Sequence, residues 1–175
     1  QNFIEEDRYM YLVQGLGTTF TITIFAAIIG IILGFIIAII RSTSDRTGKL
    51  KFLDFLCRVY LTVIRGTPAM IQLLIMFYVI MVSSNNKILI GVLTFAINSG
   101  AYVAEIVRSG IMSIDQGQFE AGRSLGFDYK ATMWHIIIPQ AFKNVLPALA
   151  NEFIVLLKET SVAGYVAVMD LTKAG

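Results

Sequence analysis

The sequence has 175 residues, 56% of them hydrophobic and 15% charged, with a mean hydropathy of +0.72. Soluble domains usually carry roughly 45–50% apolar residues, so a membrane protein is the leading class. Fourteen basic and 12 acidic residues leave a formal charge of +2, too even a balance for a nucleic-acid surface; a single cysteine, Cys57, excludes an internal disulfide and, with His135 the one histidine, argues against a His/Cys metal centre.

The opening is acidic, Glu5-Glu6-Asp7, unlike the basic start of a cleaved signal peptide, so the first apolar run is expected to remain as a helix. That run, Ile22–Ile40, is nineteen residues without a charge. At about 1.5 Å per residue it comes close to the ~30 Å hydrocarbon core. The helix is predicted to begin near Thr18, with Ala26, Gly30, Gly34 and Ala38 forming one stripe of small side chains. Another helix can approach closely there, although glycine is also simply common in membrane helices. Arg41–Lys51 reads as a polar linker with four basic residues against one acid, which the positive-inside rule puts in the cytoplasm, leaving the N-terminus outside.

Phe52–Val82 is apolar but broken at Arg65-Gly66-Thr67-Pro68, where Gly66 can end one helix, Thr67 cap the next and Pro68 take its first position. A kink or re-entry is expected. Ser83–Lys87 reads as an outer turn, Ile88–Val107 as the third crossing, residues 108–135 as a cytoplasmic loop, and Ala141–Leu157 as a fourth crossing that leaves Lys158–Gly175 outside.

Within the loop, Ser113-Ile114-Asp115-Gln116 has the form of a capping box, with Asp115 as the alternative cap, so a short helix should start there. Gly126 can close it in the left-handed conformation, with Phe127 making the accompanying apolar contact. A helix of about two turns is marginal alone and must pack on something. Phe119 and Leu125 can anchor in a groove, Ala121 and Gly122 let a partner approach the backbone, and Glu120 with Arg123 can form rim contacts. A connector lying on its own membrane helices accounts for the same residues. Asp128 can cap a second helix, ended by Pro139.

Glu120-Ala121-Gly122, then Gly126, then Ile136-Ile137-Ile138-Pro139 closely resembles the EAA loop of ATP-binding cassette importer permeases, with Gly122 in place of the usual second alanine and Ile138 in place of leucine. Residue type and spacing agree together. Gln14–Thr19, Tyr60–Pro68, Ala101–Ile111, Gly117-Gln118, Pro139–Ala141 and Leu157–Val162 further resemble the polar amino-acid uptake branch, so the resemblance covers nearly the whole sequence. It implies an all-α, multi-helix type I importer transmembrane domain, one domain over 1–175, with a coupling helix in the loop at about 113–135. It also implies a multi-pass subunit of the bacterial inner membrane that carries amino acids by alternating access. Implied partners are two cytoplasmic ATPase subunits, a second permease subunit, identical or homologous, and an external solute-binding protein. The expected coupling residues are Phe119, Glu120, Ala121, Gly122, Leu125 and Gly126. Such permeases normally have five membrane helices, the last after the segment resembling Val168–Thr172, whereas this sequence stops at Gly175. Either a final helix is missing from the sequence or the subunit is shortened; the former is the expectation.

Polar groups mark the apolar segments. Asn98, Tyr102, Glu105 and Ser109 fall at i, i+4, i+7 and i+11 and should face inward, with Arg108 a possible partner for Glu105. Asn144, Asn151 and Lys158 recur every seven residues, with Glu152 beside the second. The two stripes could wall one pocket for an amino-acid zwitterion, built from Asn98, Tyr102, Glu105, Asn151 and Glu152, or could form a structural network between helices. A carboxylate-rich pocket leans towards a polar or basic substrate. Lys158–Ser161 could gate the path or serve only as interfacial anchoring and capping. No G-x-x-x-x-G-K-[ST] phosphate loop is present, so ATP and Mg are expected on partner subunits, with no cofactor on this chain and no enzyme activity of its own. An ion-coupled secondary transporter is the alternative, and it should show an inverted repeat and work alone. An intramembrane acid/base enzyme using Glu105 or Glu152 lacks a paired nucleophile.

Overall fold

The computed structural model describes the backbone of residues 8–173 and the side chains of residues 13–161, and among the described residues there is no strand. The acidic opening at Glu5–Asp7 and the side chains of Val168–Thr172 lie outside them. Helix α1, Arg8–Thr47, has 40 residues. At about 1.5 Å per residue it is roughly twice as long as a bilayer core is thick. It begins earlier than Thr18 and continues through most of the expected linker, because Arg41, Ser42 and Ser44 are buried against the bundle rather than solvated. The connection to α2 (Lys51–Gly66) is only Gly48–Leu50, in which Gly48 and Leu50 have φ of 67° and 62°.

The break in the second apolar segment is where the sequence places it. α2 and α3 (Ala69–Ile75, continued by a π-turn at Met76–Ile80) meet at 105°. The capping arrangement differs from expectation. Pro68 is the N-cap of α3, and the Thr67 hydroxyl donates back to the Val63 carbonyl at 2.9 Å. The break is closed by Gln72, whose Nε2 donates to the carbonyls of Ile64 (2.7 Å) and Thr67 (2.9 Å). The Ile64 carbonyl otherwise accepts only long bonds from Thr67, at 3.3 and 3.4 Å, so the amide is its shortest partner at the helix end.

Helix α4 (Lys87–Met112) is the hub, with Ile90, Phe95, Ala101, Val103 and Ala104 all nearly inaccessible. The small-residue stripe of α1 lies directly on it. A Cβ added at Gly30 would sit 3.2 Å from the Gly100 amide, and one at Gly34 2.9 Å from the Ala104 amide. Gly110 faces Val145 with similarly little room. Three apolar clusters result. One joins Ile22, Ala26, Leu73, Phe95 and Leu156; a second joins Ile37, Cys57, Leu61 and Ala104; the third joins Ala38, Val107, Ile111, Phe119, Ile137 and Ala141.

Helices α5 (Gln116–Ser124) and α6 (Tyr129–Thr132) form the loop. Pro139 does not end the second loop helix. A π-turn at Met133–Ile137 carries the chain from α6 into α7 (Ile138–Lys173), and Pro139 stands at its second residue, where a missing N–H is tolerated. α7 also runs past Leu157 to Lys173, although Pro147 lies inside it.

Candidate functional site

The loop helix α5 starts at Asp115, whose carboxylate accepts from the Gly117 amide at 2.6 Å, so the alternative cap is the one used. Ser113 instead donates to the Gly110 carbonyl. Gly126, at φ 80°, closes the helix, and Asp128 Oδ1 accepts from the Ala131 amide at 2.7 Å. The six residues expected at the coupling surface divide by face. Glu120, Ala121, Leu125 and Gly126 are exposed, Leu125 at 71%. Phe119 and Gly122 are buried: Phe119 is 6% exposed in the cluster with Val107 and Ala141, and a Cβ at Gly122 would stand 2.7 Å from Thr132. Phe119 is thus an inward anchor, contrary to the outward role expected of it. Periodicity alone does not say which side of a two-turn helix meets its own chain.

The polar residues of the membrane segments also separate. On α4, the apolar and small side is the packed one, because it receives α1, and the stripe from Asn98 to Ser109 passes from buried to exposed. Asn98, 3% exposed, donates to Gln72 Oε1 at 3.2 Å. Tyr102 and Glu105 line an open cavity of about 600 Å³ with Arg41, Arg58, Arg65 and Thr62. The Arg65 guanidinium lies 5.5 Å from the centre of the Tyr102 ring. Glu105 is paired with Arg41 at 2.5 Å and approached by Arg65 at 4.0 Å, not by Arg108. Arg108 instead binds Asp45 at 2.6 Å. Asp54 adds contacts to Arg41 (3.5 Å) and Arg58 (2.8 Å), so one ionic network joins α1, α2 and α4. A buried arginine needs such company, since an uncompensated buried charge is strongly destabilising.

Asn151 is exposed and Glu152 half-buried on α7, and neither lines that cavity. Their link to α4 is a long hydrogen bond from Ser99 Oγ to Glu152 Oε1 at 3.4 Å. Lys158 is exposed, whereas Thr160 is fully buried and shares a 2.6 Å hydroxyl contact with Thr23 of α1. Sequence reasoning missed Arg41, Arg65 and Gln72. The signal present was their polarity at the edges of apolar runs; what they contact is set by the fold.

Residues 30–174 match the model of the family described as "Binding-protein-dependent transport system inner membrane component". The chain belongs to this family. It is 36% identical over 169 residues to the "Putative glutamine transport system permease protein GlnP" of Rickettsia prowazekii, covering 95% of this chain and 75% of that one. The L-cystine permease TcyB of Bacillus subtilis is 36% identical over 174 residues, 97% of this chain and 71% of its own. The arginine permease ArtQ of the same organism is 36% identical over 166 residues, 93% and 74%. The chain thus spans about three quarters of the length of these relatives. Among solved structures, one described as "Crystal structure of an amino acid ABC transporter with histidines" superposes with a TM-score of 0.81 at 40% identity, over 95% of this chain and 77% of that one. The all-α importer fold and the bacterial inner-membrane location follow, and membership in a permease family agrees with a chain that is not the ATPase.

Proposed function

We propose that this chain is the permease subunit of an ATP-driven amino-acid importer and that its substrate is a polar or basic amino acid. The observation that carries the reading is the loop helix α5. Its Glu120, Ala121 and Leu125 face outward at the position of the EAA sequence, and Phe119 fastens it into the core that contains α4 and α7. Two cytoplasmic ATPase subunits would each hold one such helix, a second permease subunit would complete the path, and an external binding protein would deliver the substrate. ATP and Mg would be bound by the ATPase subunits. Closure of the ATPase pair would then rock the membrane helices between two states as rigid bodies.

For the substrate, the relatives named for glutamine, L-cystine and arginine support a polar amino acid. The cavity at Tyr102 supports a zwitterion. Arg65 can meet a carboxylate and the Tyr102 ring can pack against the ligand, while Glu105, paired with Arg41, meets an ammonium or a cationic side chain only by exchanging that partner. Asn98, Asn151 and Glu152 complete the pocket only if the helices rearrange around a substrate.

The test is gentle purification with identification of co-purifying subunits, followed by uptake of a panel of amino acids into vesicles. An ATPase should accompany the chain and uptake should require ATP. Transport by the isolated chain, driven by an ion gradient, would overturn the reading. Within the complex, Tyr102→Ala should raise the KM of uptake while leaving basal ATPase activity nearly unchanged. Unaltered KM removes Tyr102 from the pocket without touching the importer assignment.

A further inference from the structure

A second cavity, of about 420 Å³, lies at the loop end of the bundle between the last turn of α1 and the α5–α6 pair. That volume is within the roughly 300–1,000 Å³ range of small-molecule sites. Its lining includes Arg46, Gln116, Arg123, Tyr129 and Thr132. The Arg46 guanidinium rests 3.6 Å from the centre of the Phe119 ring, which fixes the charged head at the cavity wall. Neither Arg46 nor Arg123 has an acidic partner among the described residues, and the one acid in the lining, Asp45, is already engaged by Arg108 and Arg58. The lining is therefore positive in net charge. Two hydroxyl oxygens from the same residues, Tyr129 Oη and Thr132 Oγ1, are buried and have no hydrogen-bond partner among the described residues. Buried hydroxyls are normally satisfied, so two without partners on residues that line one cavity call for a ligand or solvent. Gln116 opens α5 and adds a side-chain amide to the lining.

We propose that this cavity binds a phosphate-bearing ligand, gripped by Arg46 and Arg123 and drawing on the hydroxyls of Tyr129 and Thr132. Guanidinium forks match phosphate oxygens in pairs, and charge-assisted bonds of this kind are about twice as strong as neutral ones. The phosphate can come from a lipid headgroup, since Arg46 stands six residues beyond the charge-free run Ile22–Ile40 on the same helix, or from solution. Either way the ligand bridges α1 to the loop helix and sets how firmly α5 is held. The inference stands independently of the substrate assignment.

The experiment is equilibrium binding to the full transporter complex in detergent, with the nucleotide sites filled by a non-hydrolysable ATP analogue. The probes are inorganic phosphate, short-chain phosphatidylglycerol, and diacylglycerol of the same chain length as a phosphate-free control. Saturable binding of inorganic phosphate assigns the site to a soluble ligand; binding of phosphatidylglycerol alone assigns it to lipid. In both cases an Arg46→Gln/Arg123→Gln double variant should bind at least about tenfold more weakly, and Arg46→Lys should lose less. If the double variant does not assemble, Tyr129→Phe with Thr132→Val removes only the hydroxyls and should still weaken binding severalfold. Undiminished binding in the variants, equal binding of diacylglycerol, or no saturable binding because an ATPase side chain fills the space each overturns the proposal.

Discussion

Gly122 sets how closely α5 approaches α6, since any side chain there meets the Thr132 methyl and hydroxyl at 2.7 Å. Gly122→Ala, which restores the alanine usual in the EAA sequence, should therefore lower stability by about 1–3 kcal/mol through overpacking. Thr132→Ala in the same chain should recover most of it. Thermal unfolding of the single and double variants checks both statements, and equal loss in the two would show that Thr132 is not the obstacle. Arg41 provides a second residue-scale case. It is 9% exposed and pairs most closely with Glu105, so Glu105→Gln should lower the unfolding temperature, by a loss of about 1–3 kcal/mol for a buried charge left short of its partner. Asp54, 3.5 Å away, limits that loss. High salt in the buffer should reduce the loss in part, because Glu105 lines an open cavity while Arg41 is nearly buried.

Elements were legible in the sequence where their signals are local. Asp115, Gly126 and Asp128 act within a few residues of themselves, and each caps or closes the helix the sequence predicts. The stripe from Ala26 to Ala38 was legible because one periodicity describes one face. Contacts made across long stretches of chain were not. The polar run after Ile40 reads as a linker, yet Arg41 finds Glu105 and Asp54 and stays helical. The Arg65–Pro68 break was visible, but Gln72 as its closure was not, since its targets include carbonyls eight residues back and Asn98 on another helix. Of the expected pocket residues, Tyr102 and Glu105 share a cavity, while α7 keeps Asn151 and Glu152 apart from it. Two element-scale outcomes follow. Gln72→Leu should cost about 1–3 kcal/mol, because the Thr67 carbonyl and the Asn98 amide lose this partner and the Ile64 carbonyl keeps only its longer bonds to Thr67. Gly126→Ala, forced to hold φ 80°, should cost about 1–2 kcal/mol and reduce substrate-stimulated ATPase activity more than basal activity. Unfolding curves and ATPase assays on the purified complex read these effects; equal loss of both activities would place the effect in folding alone.

At the scale of the whole molecule, Phe119 belongs to the same apolar cluster as Val107 and Ile111 of α4, Ala38 of α1 and Ala141 of α7. A push on α5 is therefore felt by three long helices together. Phe119→Ala should open a cavity costing about 3–5 kcal/mol and should lower the amino acid imported per ATP hydrolysed, whereas Phe119→Leu should largely preserve that ratio. Uptake and hydrolysis measured on the same vesicles give the ratio directly, and an unchanged value in the alanine variant would remove this residue from the route. The glycine contacts between α1 and α4 add a constraint on how such a push can be used. With Gly30 and Gly34 leaving no room between the two backbones, neither helix can slip past the other by even one residue, so the pair behaves as a single lever. Its compliance must then reside at the ends, in the 105° elbow between α2 and α3 and in the two π-turns, one of which begins immediately after the loop.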